Sequence, residues 1–205
     1  MKSTAKIQAN LGSGSIREGF EYLGYRFDWP RITVRAESVR RLENTLARTF
    51  TTYRYALQRA EGEWEKRIAV RRLIWHANLI VSGFTLNGAR RGWLPYYSLI
   101  RDQQVLRHLD SLVEKFALRF GFEEGSFKSF RQAYRFAARS VHDGTGYVPN
   151  FDHYLRAEKS DVLISVFGQD KDEIDSLSDD ALDGSFLRRV ERVAAELDRD
   201  VARGY

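Results

Sequence analysis

The sequence contains no cysteine, which excludes disulfides and thiolate metal sites and fits a reducing, cytoplasmic setting. Its four histidines (His76, His108, His142 and His153) are scattered, with no HxxxH or HExxH pair, so a zinc site is not expected. No apolar run approaches the roughly 18 residues that a membrane span requires. The opening stretch, MKSTAKIQANLGSGS, has no apolar core behind its lysines and does not read as a signal peptide. A soluble chain that touches no membrane is expected.

What is present is a globular composition, 43% hydrophobic and 13% aromatic, in a chain of 205 residues, enough for one good core or two small ones. The net charge of +5 is unevenly spread. Residues 1–156 hold 26 Lys/Arg against 15 Asp/Glu, a balance of +11, whereas residues 157–205 hold 7 against 13, a balance of −6. Most of the cations are arginines, suited to bidentate phosphate contacts and to stacking on bases. A basic body with an acidic tail suits a polyanionic partner, although a solvated surface would carry the same charge.

Along the chain the hydrophobic period changes from two to that of a helix. Ile7, Ala9 and Leu11 alternate with polar residues before a Gly12-Ser13-Gly14 turn. Phe20 to Phe27 then reads as strand, with Gly24 marking a bulge or a close backbone approach. Asp28-Trp29-Pro30 turns the chain into a short strand with Ile32 and Val34. From Ser38, a candidate N-cap, Val39, Leu42, Leu46, Phe50, Tyr53 and Leu57 form one apolar stripe that Glu61-Gly62 ends. A second helix is predicted from about Glu63 to Ser82, burying Trp64, Ile68, Trp75 and Leu79.

Phe84 to Trp93, with its glycine and asparagine breakers, is predicted to be a loop, and Leu94 to Ile100 a short helical turn beginning at Pro95. A third helix buries Leu106, Leu109, Val113, Phe116 and Phe120 and stops at Gly121; a fourth, from about Ser126 to Val141, buries Phe127, Phe130 and Tyr134. His142 to Asp152 reads as extended. Helices near Ser160–Phe167 and from about Ser185 to Arg203 close the acidic tail. The fold class expected is therefore α+β and mainly α, a small antiparallel hairpin region followed by a helical bundle.

The string Phe20-Glu21-Tyr22-Leu23-Gly24-Tyr25-Arg26-Phe27 resembles the F-x-(F/Y)-L-G-(Y/F) primer-grip motif of bacterial and group II intron reverse transcriptases. Lys2-Ser3-Thr4-Ala5-Lys6-Ile7 resembles, less closely, the K-T-x-I strand that precedes it in that family. Gly92-Trp93-Leu94-Pro95-Tyr96-Tyr97, leading to Leu106 and Leu109-Asp110, is similar to the family's thumb or maturase-type helices. Gly146-Tyr147-Val148-Pro149-Asn150-Phe151-Asp152 looks like the extended tail of some bacterial, defence-associated members. The resemblance implies three segments: a palm-end β region over 1–35, a thumb-like helical domain over 36–141, and an extended segment with acidic helices over 142–205. It also implies that Tyr22, Leu23, Gly24 and Tyr25 meet the primer end.

Two helix faces would add phosphate contacts. Arg41, Thr45, Arg48 and Thr52, stepping by 4, 3 and 4, are placed opposite the apolar stripe of the first long helix. Arginines and short hydroxyls there suit the wide minor groove of an RNA–DNA hybrid. Lys128, Arg131, Arg135 and Arg139 form a comparable stripe on the fourth helix, and Arg90-Arg91 is a third candidate. For each, a solvated face that touches nothing is the alternative reading. Trp64, Trp75 and Trp93 are assigned to packing, and His76 to an ordinary boundary position.

Nucleotide transfer in this family needs three carboxylates around two magnesium ions, two of them adjacent on a strand turn. The one Asp-Asp pair here, Asp179-Asp180, follows Ser178 in the acidic tail, where a helix N-cap with acids in its first turn accounts for it. No catalytic residue and no cofactor is assigned to this chain; magnesium is implied only for a complete polymerase. Fingers and most of the palm would have to precede residue 1 or lie on a separate chain. The expected partner is an RNA template, an RNA–DNA hybrid or a structured RNA. A stand-alone RNA-binding accessory protein and a protein-interaction module remain the alternatives.

Overall fold

The computed structural model describes residues 19–28, 30–138 and 146–202. The strands predicted over Lys2 to Leu11, the Gly12-Ser13-Gly14 turn, Trp29 and Arg139 lie outside the described residues. The fold is α+β and mainly α, as the periodicities predict. Three short antiparallel strands, β1 (Phe20–Tyr22), β2 (Tyr25–Asp28) and β3 (Arg31–Val34), form a sheet in the order β1-β2-β3. They lead into an antiparallel helix hairpin, α1 (Ala36–Arg59) and α2 (Glu63–Ser82).

Tyr22 pairs with Tyr25 in the register, so Leu23 and Gly24 form a two-residue hairpin turn with φ of 50° and 80°. The predicted close approach at Gly24 is to the protein itself. A Cβ there would sit 2.5 Å from the Tyr97 hydroxyl. Glycine is required on both counts, conformation and space.

Ser38 is not the cap of α1. The helix begins at once after β3, with Arg35 in the capping position and no side-chain cap, because a guanidinium has no acceptor to offer; the Arg35 N–H is bonded to the Gly24 carbonyl (2.9 Å). Ser38 is buried in the first turn and accepts from Arg41. Helix α2 has the predicted bounds, but Trp64 in its first turn is 49% exposed rather than buried.

The predicted loop from Phe84 is a hairpin instead. Strands β4 (Phe84–Leu86) and β5 (Ala89–Arg91) pair around Asn87-Gly88. The Asn-Gly dipeptide between Leu86 and Ala89 was the overlooked signal. The turn is held from elsewhere in the chain, since the Asp152 carboxylate accepts from the N–H groups of Asn87 (2.6 Å) and Gly88 (2.7 Å). A one-turn helix α3 (Trp93–Tyr96) contains Pro95, and α4 (Gln103–Arg119) follows with Asp102 as its N-cap.

Helix α5 (Phe130–Ala138) starts four residues later than predicted. Residues 126–129 are spent on a turn, in which the Lys128 N–H is held by Asn78 (2.8 Å). The acidic tail forms α6 (Arg156–Ser165), α7 (Lys171–Ser176) and α8 (Asp179–Ala202). Helix α7 was not foreseen, and α8 starts six residues before the predicted Ser185, running through Gly184. Asp179 and Asp180 do occupy its first turn, beside Ser178, and Asp179 pairs with Arg156.

One buried cluster runs from Tyr25 and Val34 through Leu46, Phe84, Trp93 and Phe130 to Phe151, Phe186 and Leu197, so it draws on all three segments assigned from the sequence. A second cluster fills the inner side of the α1–α2 seam, where Phe50 meets Phe116, Phe120 and Phe127. No helix among the described residues is long and apolar enough to cross a membrane.

Candidate functional site

The first candidate is the β1–β2 hairpin. Four observations fix its base to the helical body. The Tyr25 hydroxyl donates to the Tyr96 carbonyl (2.8 Å) and accepts from the Leu99 N–H (3.3 Å). Its ring meets Tyr97 edge-on at 5.2 Å, and the Tyr96 hydroxyl donates to the Leu23 carbonyl (3.3 Å). Tyr25 is 7% exposed and Gly24 is buried; Tyr22, at 63%, and Leu23, at 44%, project from the tip. Phe20, also exposed, stacks on Phe27 with centroids 4.7 Å apart. The four residues of the motif therefore divide into two that can be touched and two that hold them in position.

The second candidate is a groove of about 980 Å³ on the outer side of the α1–α2 seam. One wall is α1, through Thr45, Arg48, Thr49, Thr52 and Arg59; the other is α2, through Trp64, Ile68, Arg72 and His76. Phe167-Gly168 and the Glu196-Leu197 turn of α8 close it. Thr45 is not opposite the apolar stripe as expected but buried on its flank, because α1 is covered on that side too. Arg48 and Thr52 are exposed along the groove. Arg41 is turned to Glu37 (3.0 Å) and Ser38 and is not part of the groove.

Sequence reading missed Trp64, Arg72 and His76 as lining residues, although with Ile68 they recur every four residues on one helix face. Arg72 donates to the carbonyls of Val166 (3.0 Å) and Phe167 (3.1 Å) just past the end of α6. Burial holds His76 below its ordinary value; Glu196 opposes that shift and the Arg48 charge adds to it. Burial thus favours the neutral imidazole.

The basic stripe predicted over the fourth helix is not one surface. Arg131 pairs with Asp110 (2.7 Å), and Lys128, outside the helix, points its ammonium at the Tyr147 carbonyl (2.6 Å) and ring (5.3 Å). Arg135 remains exposed. Arg90 is exposed with a bond to the Ala137 carbonyl (3.2 Å), whereas Arg91 pairs with Asp198 of α8 (2.8 Å). Among the described residues no His, Asp and Glu side chains gather closely enough to hold a metal ion.

Burial lowers the Lys128 pKa from its ordinary 10.5 to about 8. The folded protein thus resists protonating a lysine that the unfolded chain protonates freely. Stability is expected to rise as pH goes from about 8 toward 10.5, by on the order of 1–2 kcal/mol after allowing for partial exposure. The check is denaturant unfolding of wild type and Lys128→Met over that range. A wild-type slope no steeper than that of the variant would refute the assignment.

Compared with family models, with curated proteins and with solved structures, the chain matches none.

Proposed function

We infer that this chain grips nucleic acid, as the primer-grip and thumb portion of an RNA-directed DNA polymerase whose catalytic carboxylates it does not itself carry. The observation that supports this best is the hairpin. The octapeptide that resembles the primer grip forms a tight turn with Tyr22 and Leu23 outermost, and its base is tied to α3 by Tyr25, Tyr96 and Tyr97. Positioning a primer end demands such stiffness, since a misplacement of about 1 Å can cost on the order of 100-fold in rate. An exposed aromatic and leucine on a rigid tip can pack against the terminal sugar and base, while the arginine-rich body supplies charge for the phosphates.

The test is binding of a labelled RNA–DNA hybrid with a recessed 3′ end across a salt series. A steep loss of affinity with salt is expected from phosphate contacts. Tyr22→Ala with Leu23→Ala should weaken binding about tenfold, the order expected for loss of one stacking contact. No nucleotide incorporation is expected with magnesium or manganese. A salt-independent response would favour a protein-interaction module. Hybrid binding indifferent to the hairpin pair would favour an accessory RNA-binding role.

A further inference from the structure

The α1 face that the sequence assigns to a duplex is, in the fold, one wall of a groove between two packed helices. Neighbouring helix axes lie about 8–10 Å apart, so the seam is too narrow to admit a duplex. Its chemistry nevertheless favours a polyanion. Arg48 and Arg59 line it with no carboxylate partner among the described residues. Its two acids are Glu196, beside His76, and Glu65, whose carboxylate is occupied by the N–H groups of Glu61 (2.6 Å) and Gly62 (3.4 Å). The donors of Arg72 are partly used by carbonyls, so that residue contributes mainly charge.

We propose that this groove holds a single strand of nucleic acid, a site distinct from the hairpin and resting on the same nucleic-acid reading of the protein. Three features select that ligand. Arg48 and Arg59 stand eleven positions apart on one helix, about 17 Å at helical rise, so they cannot share one phosphate and call for an extended chain. Between them Thr52 supplies a hydroxyl suited to a phosphate oxygen, and Thr49, whose O–H donates to the Thr45 carbonyl (2.9 Å), can still accept from a sugar hydroxyl. At the far end Trp64 offers an exposed indole with Arg67 near one ring face (5.8 Å from the centroid). An aromatic platform beside a cationic track is the arrangement that binds single strands with little regard to sequence.

The experiment is titration of the intact protein with a short oligouridylate, followed by tryptophan emission and by anisotropy of a labelled oligomer. Saturable quenching is expected. Trp64→Ala should weaken binding about tenfold, whereas Trp64→Phe should keep most of the affinity and lose the quenching. Arg48→Ala should lower the salt slope by about one. Arg71→Ala, an exposed arginine of α2 that does not line the groove, should change nothing. Circular dichroism checks that each variant is folded.

Equal affinity in Trp64→Ala and Arg48→Ala would overturn the proposal. So would polyglutamate binding as tightly with the same Trp64 signal, which would assign the groove to acidic peptides. If oligouridylate fails to bind while the hybrid still binds through Tyr22, the groove assignment alone falls. If neither binds, the nucleic-acid reading falls with it.

Discussion

Replacing Phe151 by alanine is expected to cost about 3–5 kcal/mol of stability, the usual range for a large aromatic deleted from a core. Phe151 is 2% exposed, and its ring lies 5.3 Å from Phe84, 5.0 Å from Tyr154, 5.7 Å from Phe186 and 6.1 Å from Trp75. These partners come from β4, α2, α8 and the segment before α6. The walls of the cavity would thus be stiff rings on separate elements, which cannot close in by one local adjustment. The same short 3-10 turn carries Asp152, the carboxylate that caps the Asn87-Gly88 turn, so loss of the anchor also loosens β4–β5. Thermal unfolding should shift by on the order of 10 °C, and Phe151→Leu should recover most of it. A loss under about 1 kcal/mol would show that the 146–154 segment does not belong to the core.

Asp110→Ala is expected to cost about 3 kcal/mol, within the range for a largely buried ionic hydrogen-bond network losing its acceptor. From α4 this carboxylate reaches the start of α5. One oxygen accepts from the Phe130 N–H (2.5 Å), and the other from the Ser129 hydroxyl (2.9 Å) and the Arg131 Nε (2.7 Å). It is a helix N-terminal anion supplied by a neighbouring helix, with both hydrogen bonding and the helix dipole in its favour. Without it a buried backbone donor has no partner and Arg131 is released. Asp110→Asn keeps one acceptor and should lose about half as much. Denaturant unfolding gives the cost, and amide exchange should show α5 opening before α1 or α2. Equal exchange throughout, or a cost within error of zero, would refute this role.

The regular helices were legible because their signal is repeated many times. The stripe from Val39 to Leu57 and the breaks at Gly62 and Gly83 set α1 and α2 nearly to the residue. The strand region around Phe20–Val34 was equally clear. Misreadings fell where a distant group chose the local state. The Phe84–Arg91 hairpin takes its turn cap from Asp152, more than sixty residues away. Lys128 and Arg131 fall on the spacing of a helix face, yet Asn78, Tyr147 and Asp110 draw them out of any common surface. Trp64 carried a core-like spacing, but it belongs to neither buried cluster, and the indole is left at the rim of the groove.

The sequence alone determined the mainly helical class, the uneven charge and the hairpin motif, because each is carried by neighbours in the chain. Which arginines remain open, and that the Arg48 face of α1 is one wall of a narrow groove, were decided only when α2 and α8 packed against α1; which motif residues can be touched was decided by the docking of the hairpin on Tyr96 and Tyr97. Burial and pairing are properties of what packs alongside, and periodicity names the face of a helix without naming what comes to lie against it.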